Sequence, residues 1–151
     1  MKRPSRKLLI GRSDVAHFPK LGLVGIAIKI DTGAYTSSMH CHRIAERDGK
    51  LYCRFLDPKH AAYHEREIMF EAYQRKVVRS SNGQEEERYL IKTQVRLFGK
   101  RYRIQLSLTE RGSMRFPVLV GRKFLGPKFI VDTARVNLSH ENQVIKIKLP
   151  E

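Results

Sequence analysis

The sequence predicts an all-β fold. Three observations carry this. Apolar residues alternate with polar ones in several segments, as in Val24, Ile26, Ile28 and Ile30 and again in Tyr89, Ile91, Thr93, Val95 and Leu97. A period of two puts such a set on one face of a strand. Turn chemistry recurs at about 8 to 12 residues, the spacing of short strands in a barrel or folded sheet. Asp48-Gly49 and Ser80-Ser81-Asn82-Gly83 supply residue types that accept positive φ at hairpin tips.

In order, residues 1–7 read as a basic flexible arm and 8–151 as a single domain. Residues 8–10 begin a strand that stops at Gly11. Ser13, Asp14 and His17 lie close together but read as loop or cap residues rather than a triad. Phe18-Pro19-Lys20-Leu21-Gly22 is a turn. Residues 23–30 form a strand that Asp31-Thr32-Gly33 breaks, and the chain is extended again over 36–42. Beyond the Asp48-Gly49 tip, Leu51, Cys53 and Phe55 share one strand face. Residues 61–70 read as either a short helix or a loop. Residues 72–97 make a long hairpin with a polar tip, and Phe98-Gly99-Lys100 turns it into a strand carrying Tyr102, Ile104, Leu106 and Leu108. Residues 118–120 are a buried run, 121–125 start a helical turn closed by Gly126-Pro127, and 129–131 and 144–149 complete the strands.

The length of 151 residues suits one domain with a real core. Thirty basic residues against fifteen acidic give a net charge of +15, which attracts polyanions: nucleic acid, anionic membrane or acidic polypeptide. No apolar run approaches the length of a membrane span, and the patch Leu8-Leu9-Ile10 is too short for a secretory signal. Two cysteines, Cys41 and Cys53, make no disulfide framework and suit a reducing compartment, so a cytoplasmic protein without membrane association is expected.

Asp31 is the candidate catalytic group. A lone carboxylate at the end of a buried strand is only a weaker acid. Two in contact cannot both ionise and share a proton, so one can activate water while the other protonates or polarises a carbonyl. Gly33 lets the backbone approach that carboxyl group, and Thr32 offers a hydroxyl to hold the loop. Alone, Asp-Thr-Gly is an ordinary turn. Its context is Ile28-Lys29-Ile30 before it, Ala34 and Thr36-Ser37 after it, the hairpin tipped by Ser80 to Gly83, and Phe116-Pro117-Val118-Leu119-Val120-Gly121-Arg122 downstream.

That order resembles the retropepsin-like aspartic peptidases, over about residues 20 to 126. More narrowly, Val77-Val78-Arg79-Ser80-Ser81-Asn82-Gly83, Glu86-Glu87-Arg88-Tyr89, Met114-Arg115-Phe116 with the run after it, and Phe129-Ile130-Val131-Asp132 resemble one bacterial family. It is the RimB-like family labelled ATP-dependent zinc proteases and associated with RimK-type glutamate ligases. The resemblance implies a retropepsin-like closed or partly open barrel, a flap hairpin, and a short helix after a supporting glycine, here Gly121. It implies catalysis by Asp31, Thr32 and Gly33, with substrate held by Ala34 and by the flap residues Arg79, Ser80, Ser81, Asn82, Gly83 and Arg88. One Asp-Thr-Gly gives half a dyad. Asp132-Thr133-Ala134 lacks the glycine and reads as a structural acid at a strand end, so a homodimer pairing two Asp31 residues is expected. In many retropepsins an acid follows the Asp-Thr-Gly-Ala and pairs with the arginine after the supporting glycine. Tyr35 stands there in this chain, which leaves Arg122 to find another partner.

No metal or other cofactor is expected. The chain lacks His-Glu-x-x-His, Cys-x-x-Cys and a phosphate-binding Gly-x-x-x-x-Gly-Lys loop. In His40-Cys41-His42 a strand would put the histidines on one face and the thiol on the other, and His60 and His64 would share a face only in a helix. Basic residues near the flap suit an acidic substrate, since guanidinium pairs with carboxylate. The expected reaction is hydrolysis of amide bonds in glutamate-rich chains, such as glutamate tails on a ribosomal protein. The competing expectation is a non-catalytic basic barrel that binds RNA or the ribosome, with Tyr63, Tyr73, Tyr89 and Tyr102 available to stack on bases.

Overall fold

Short alternating segments cannot bury their apolar faces singly, so they must pair and close. In the computed structural model, which describes residues 6–79, 82–110 and 115–150, they do so mainly through one sheet. Its strands are β2 (Ser13–Phe18), β3 (Leu23–Ile30), β4 (Ser37–Arg47), β8 (Glu85–Leu97), β9 (Lys100–Thr109) and β10 (Val118–Val120). They run in the order β10-β3-β2-β8-β9-β4, and β10 also pairs with β4, so the six close into a barrel. β5 (Lys50–Phe55) and β6 (Ile68–Phe70) extend the sheet beyond β4, and β7 (Gln74–Arg79) pairs antiparallel with the first half of β8 to form the flap hairpin. A second sheet sets β1 (Arg6–Ile10) between β11 (Phe129–Val131) and β12 (Lys146–Lys148). The only α-helical segment among the described residues is α1 (Arg122–Leu125), directly after Gly121.

The core is what the alternation implies. Leu51, Cys53 and Phe55 are fully buried, as are Ile26, Ile28, Met39, Val95 and Leu106. Each large apolar side chain removed from water contributes about 1.5 to 3 kcal/mol. Two hairpin tips place consecutive residues at positive φ, Asp48 (52°) with Gly49 (73°) and Phe98 (52°) with Gly99 (71°), the twist that suits a tight antiparallel turn.

Several expectations need correction. The first strand starts at Arg6, so Arg6 and Lys7 belong to β1 rather than to a flexible arm. Ser13, Asp14 and His17 lie on β2, not in a loop. Asp14 is buried, and its carboxylate accepts the N–H groups of Val15 (2.8 Å), Ser139 (2.9 Å) and His140 (3.1 Å). Those donors offset the loss of hydration. Val24 is 71% exposed while Leu23 is fully buried. Gly25 takes φ +69° and donates to His17 Nδ1 at 2.9 Å, and the β2–β3 register shifts between Ala16 and Phe18. This bulge moves the side-chain alternation by one residue. A second shift, between Cys41 and Arg43, leaves His40 and Cys41 both buried and His42 exposed, so the two histidines do not share a face. Of the two readings of residues 61–70, 68–70 form β6 and the loop holds for 61–67, which are turn and irregular chain. There His60 Nδ1 accepts from Ala62 N–H and His64 Nε2 lies 2.9 Å from the Leu21 carbonyl.

Candidate active site

A strand ending in a carboxylate needs something to hold the loop that follows, since the backbone groups there have left the ladder. β10 provides it. It threads between β3, which it pairs in parallel (Val118 with Ile28, Val120 with Ile30), and β4, which it pairs antiparallel (Val118 with Met39, Leu119 with Ser38). The loop 31–36 joins those two strands, and the residues after β10 carry on bonding to it. Asp31 N–H donates to the Val120 carbonyl (2.8 Å), Arg122 N–H to Ala34 (2.8 Å) and Lys123 N–H to Tyr35 (2.9 Å). Gly121 N–H donates to Ser37 Oγ at 3.0 Å, a bond buried from water.

Gly121 is required by contact. A Cβ there would lie 2.6 Å from the Tyr35 carbonyl oxygen and 2.9 Å from that of Ala34. Arg122, with Tyr35 rather than an acid after Ala34, bonds through Nη1 to the Thr32 carbonyl at 3.0 Å, and its guanidinium lies 5.9 Å from the Tyr35 ring centroid. That distance reaches a cation–π contact. Thr32 is thus held by its carbonyl, and its side chain is exposed.

Asp31 itself is half-buried, and its Oδ1 accepts Gly33 N–H at 3.1 Å. A Cβ on Gly33 would lie 3.3 Å from that oxygen, so the glycine does permit the close approach. Asp132 follows β11 in the other sheet. It accepts Ala134 N–H (2.9 Å) and pairs with Arg135 (3.2 Å), the structural acid expected.

Beside the loop is a cleft of about 600 Å³. Ala34, Tyr35 and Thr36 form one wall, and Lys76, Val77, Arg88 and Leu90 of the flap another, with Lys123 of α1 at the side. Every charged residue lining it is cationic. Arg88 pairs with Glu86 at 3.5 Å, yet its Nε is buried without a hydrogen-bond partner. Of the expected substrate-binding residues, the cleft brings together Ala34 and Arg88. Arg79 ends β7, with its backbone opposite Glu85, and Ser80 and Ser81 lie outside the described residues. Asn82 and Gly83 are exposed at the flap turn and are not part of the cleft wall. Ser37, Lys76 and Lys123 join the site without a motif that marks them in the sequence. A serine six residues after the acid was the only hint of the first, and its role depends on a register the sequence does not display. Among the described residues no three His, Cys, Asp or Glu side chains group as metal ligands.

Residues 9–142 match the family model described as RimB-like, retropepsin-like aspartic endopeptidase RimB. A protein of Shewanella pealeana named "Probable alpha-L-glutamate ligase" is 34% identical over 132 residues, 83% of this chain and 28% of that protein. One of the same name from Desulfotalea psychrophila is 30% identical over 142 residues, 89% of this chain and 30% of that protein. The chain therefore spans less than a third of the length of these relatives. The crystal structure of protein Lpg0085 from Legionella pneumophila, of unknown function, superposes with a TM-score of 0.62 at 25% identity, covering 87% of this chain and 97% of that one.

Proposed function

The chain belongs to the RimB-like family of retropepsin-like aspartic endopeptidases, and from that premise we propose that it hydrolyses amide bonds in acidic, glutamate-rich peptides. The observation that carries the substrate class is the cleft beside Asp31, lined by Lys76, Arg88 and Lys123 and by no carboxylate. An extended acidic chain there would meet cations that pair with carboxylates through charge-assisted hydrogen bonds. Relatives named as glutamate ligases fit the reverse reaction on the same kind of chain. A glutamate tail on a ribosomal protein is one such substrate.

The reaction needs two carboxyl groups. One Asp31 carboxylate takes a proton from water as the oxygen attacks the amide carbon. The other carboxyl, protonated, gives its proton to the carbonyl oxygen. Collapse of the tetrahedral species breaks the C–N bond, and the amine leaves with the proton the first carboxylate had taken. The second carboxyl would come from Asp31 of a second copy, because Asp132 is occupied in a different sheet. The enzyme would therefore be a homodimer.

The competing RNA-binding reading draws on the same positive charge, but the tyrosines that would stack on bases are engaged. Tyr102 packs against Phe124 and Phe129 (5.8 Å each), Tyr89 against Tyr73 (6.1 Å), and Tyr63 against His42 (5.9 Å). To test the proposal, the protein is incubated with a polypeptide carrying a C-terminal oligo-glutamate tail and the substrate mass is followed. Stepwise loss of glutamate mass is expected with wild type, and a drop in rate on the order of 10³-fold with Asp31→Asn. No trimming by wild type, or trimming that survives the substitution, overturns it.

A further inference from the structure

A period of two along β8 puts Arg88, Leu90, Lys92 and Gln94 on one face. Opposite them on β9, Ser107 pairs with Leu90, Gln105 with Lys92 and Arg103 with Gln94. Leu90 and Ser107 line the cleft beside the Asp31 loop. Further along the same face is a second cleft, of about 590 Å³, over Lys92, Gln94 and Arg103. Lys20, from the turn between β2 and β3, adds a third cation to it. The two clefts share Gln105 and Lys123, so one surface runs from the catalytic loop along the hairpin.

We infer that this β8–β9 face is a carboxylate-binding track that holds the acidic chain to one side of the bond being cut. The inference rests on the peptidase reading above and extends it to distal subsites. The charge is available: Lys20, Lys92, Arg103 and Lys123 line the second cleft with no acidic residue, and none of them forms an ion pair among the described residues. Lys123 Nζ bonds to the neutral Gln105 Oε1 at 2.6 Å, which orients the ammonium without cancelling its charge. The length also fits. From Arg88 to Gln94 the strand covers about 20 Å, the reach of about six extended residues. An extended chain presents every second side chain to one face, about 7 Å apart, so alternate glutamates would face the basic surface. No aromatic side chain lines this cleft, whereas a groove for single-stranded nucleic acid uses stacking platforms.

The test uses two peptides, of four and of twelve glutamates, and the double substitution Lys92→Gln/Arg103→Gln. Both residues lie outside the catalytic loop, and both are exposed, so an unchanged melting temperature is expected. Binding is measured by fluorescence anisotropy in the Asp31→Asn background, and hydrolysis with Asp31 intact. The longer peptide is expected to bind more tightly, and the double substitution to raise its Kd about tenfold. The Kd of the four-residue peptide and its hydrolysis rate should stay within about twofold, a margin for side-chain changes away from contact. Lys92→Arg/Arg103→Lys should keep the length preference. Hydrolysis of acidic peptides with a length preference that ignores the double substitution overturns the track and leaves the peptidase reading intact. The reverse pattern, a charge-dependent length preference without hydrolysis, supports the track and removes the reaction. A twelve-nucleotide single-stranded RNA that outcompetes the longer peptide, and needs Lys92 and Arg103 to do so, overturns the assignment to an acidic peptide.

Discussion

Gly121 and Gly25 lack a side chain for different reasons, and the difference predicts different costs. At Gly121 a methyl group would collide with the Ala34 and Tyr35 carbonyls. Gly121→Ala should therefore push the Asp31 loop away, costing about 1 to 3 kcal/mol in urea denaturation and most of the proposed peptidase activity. At Gly25 nothing lies within 4 Å of the added atom, and the penalty is only that of φ +69°. Gly25→Ala should cost about 1 kcal/mol and leave activity intact. Arg122 gives a third case. Arg122→Lys keeps the charge but loses the fork that reaches Thr32, so a several-fold fall in kcat with little change in melting temperature is expected. Asp31 and Gly33 were legible as single residues because a strand pattern stopped at them. The partner of Arg122 was not: Tyr35 replaced the expected acid, and a backbone carbonyl as acceptor leaves no mark on a sequence.

Among elements, β10 decides the site. Its apolar run and its glycine were readable, but its parallel pairing with β3 was not, since a three-residue strand carries no signal of its neighbours. The bulges at Gly25 and after Cys41 were hidden for a related reason: a shift by one residue changes which alternation faces inward while leaving the composition as it was. β4 and β5 carry the two thiols, free and buried. Burial, with the field of Cys53 and Glu110, holds Cys41 well above its ordinary range, and burial with Glu67 and Glu110 pushes Cys53 up to about 12. A thiol exposed in the unfolded chain ionises at about 8.5. The stabilising contribution of the buried, neutral form is complete below that pH and is lost as pH climbs from there toward about 12. Urea midpoints should therefore fall across that window, and Cys53→Ala should make the fall shallower. At pH 8 both thiols should resist iodoacetamide in the folded protein and react once it is unfolded.

For the molecule as a whole, one chain offers one Asp31, and the proposed chemistry requires two. If the dyad crosses a dimer, adding excess Asp31→Asn protein to wild type should suppress activity beyond dilution, because mixed dimers hold one acid. Activity proportional to wild-type concentration alone would speak for a complete site within one copy. The all-β class was legible from the period of two, and the closed barrel was implied by resemblance. The separate β11-β1-β12 sheet was not, because its strands come from opposite ends of the described chain and only their pairing unites them.

The bracing of the Asp31 loop also sets an order in time. Thr32 and Arg122 are 90 residues apart, and Ser37 and Gly121 are 84. A chain emerging from the ribosome displays Asp31 long before the segment that fixes it has been made, and contacts this distant in sequence form late. A nascent chain that ends before β10 carries the acid without its support. Under the proposed chemistry, hydrolytic capacity would thus wait for β10 and α1, a delay that keeps the acid idle while the segments that brace it are still missing.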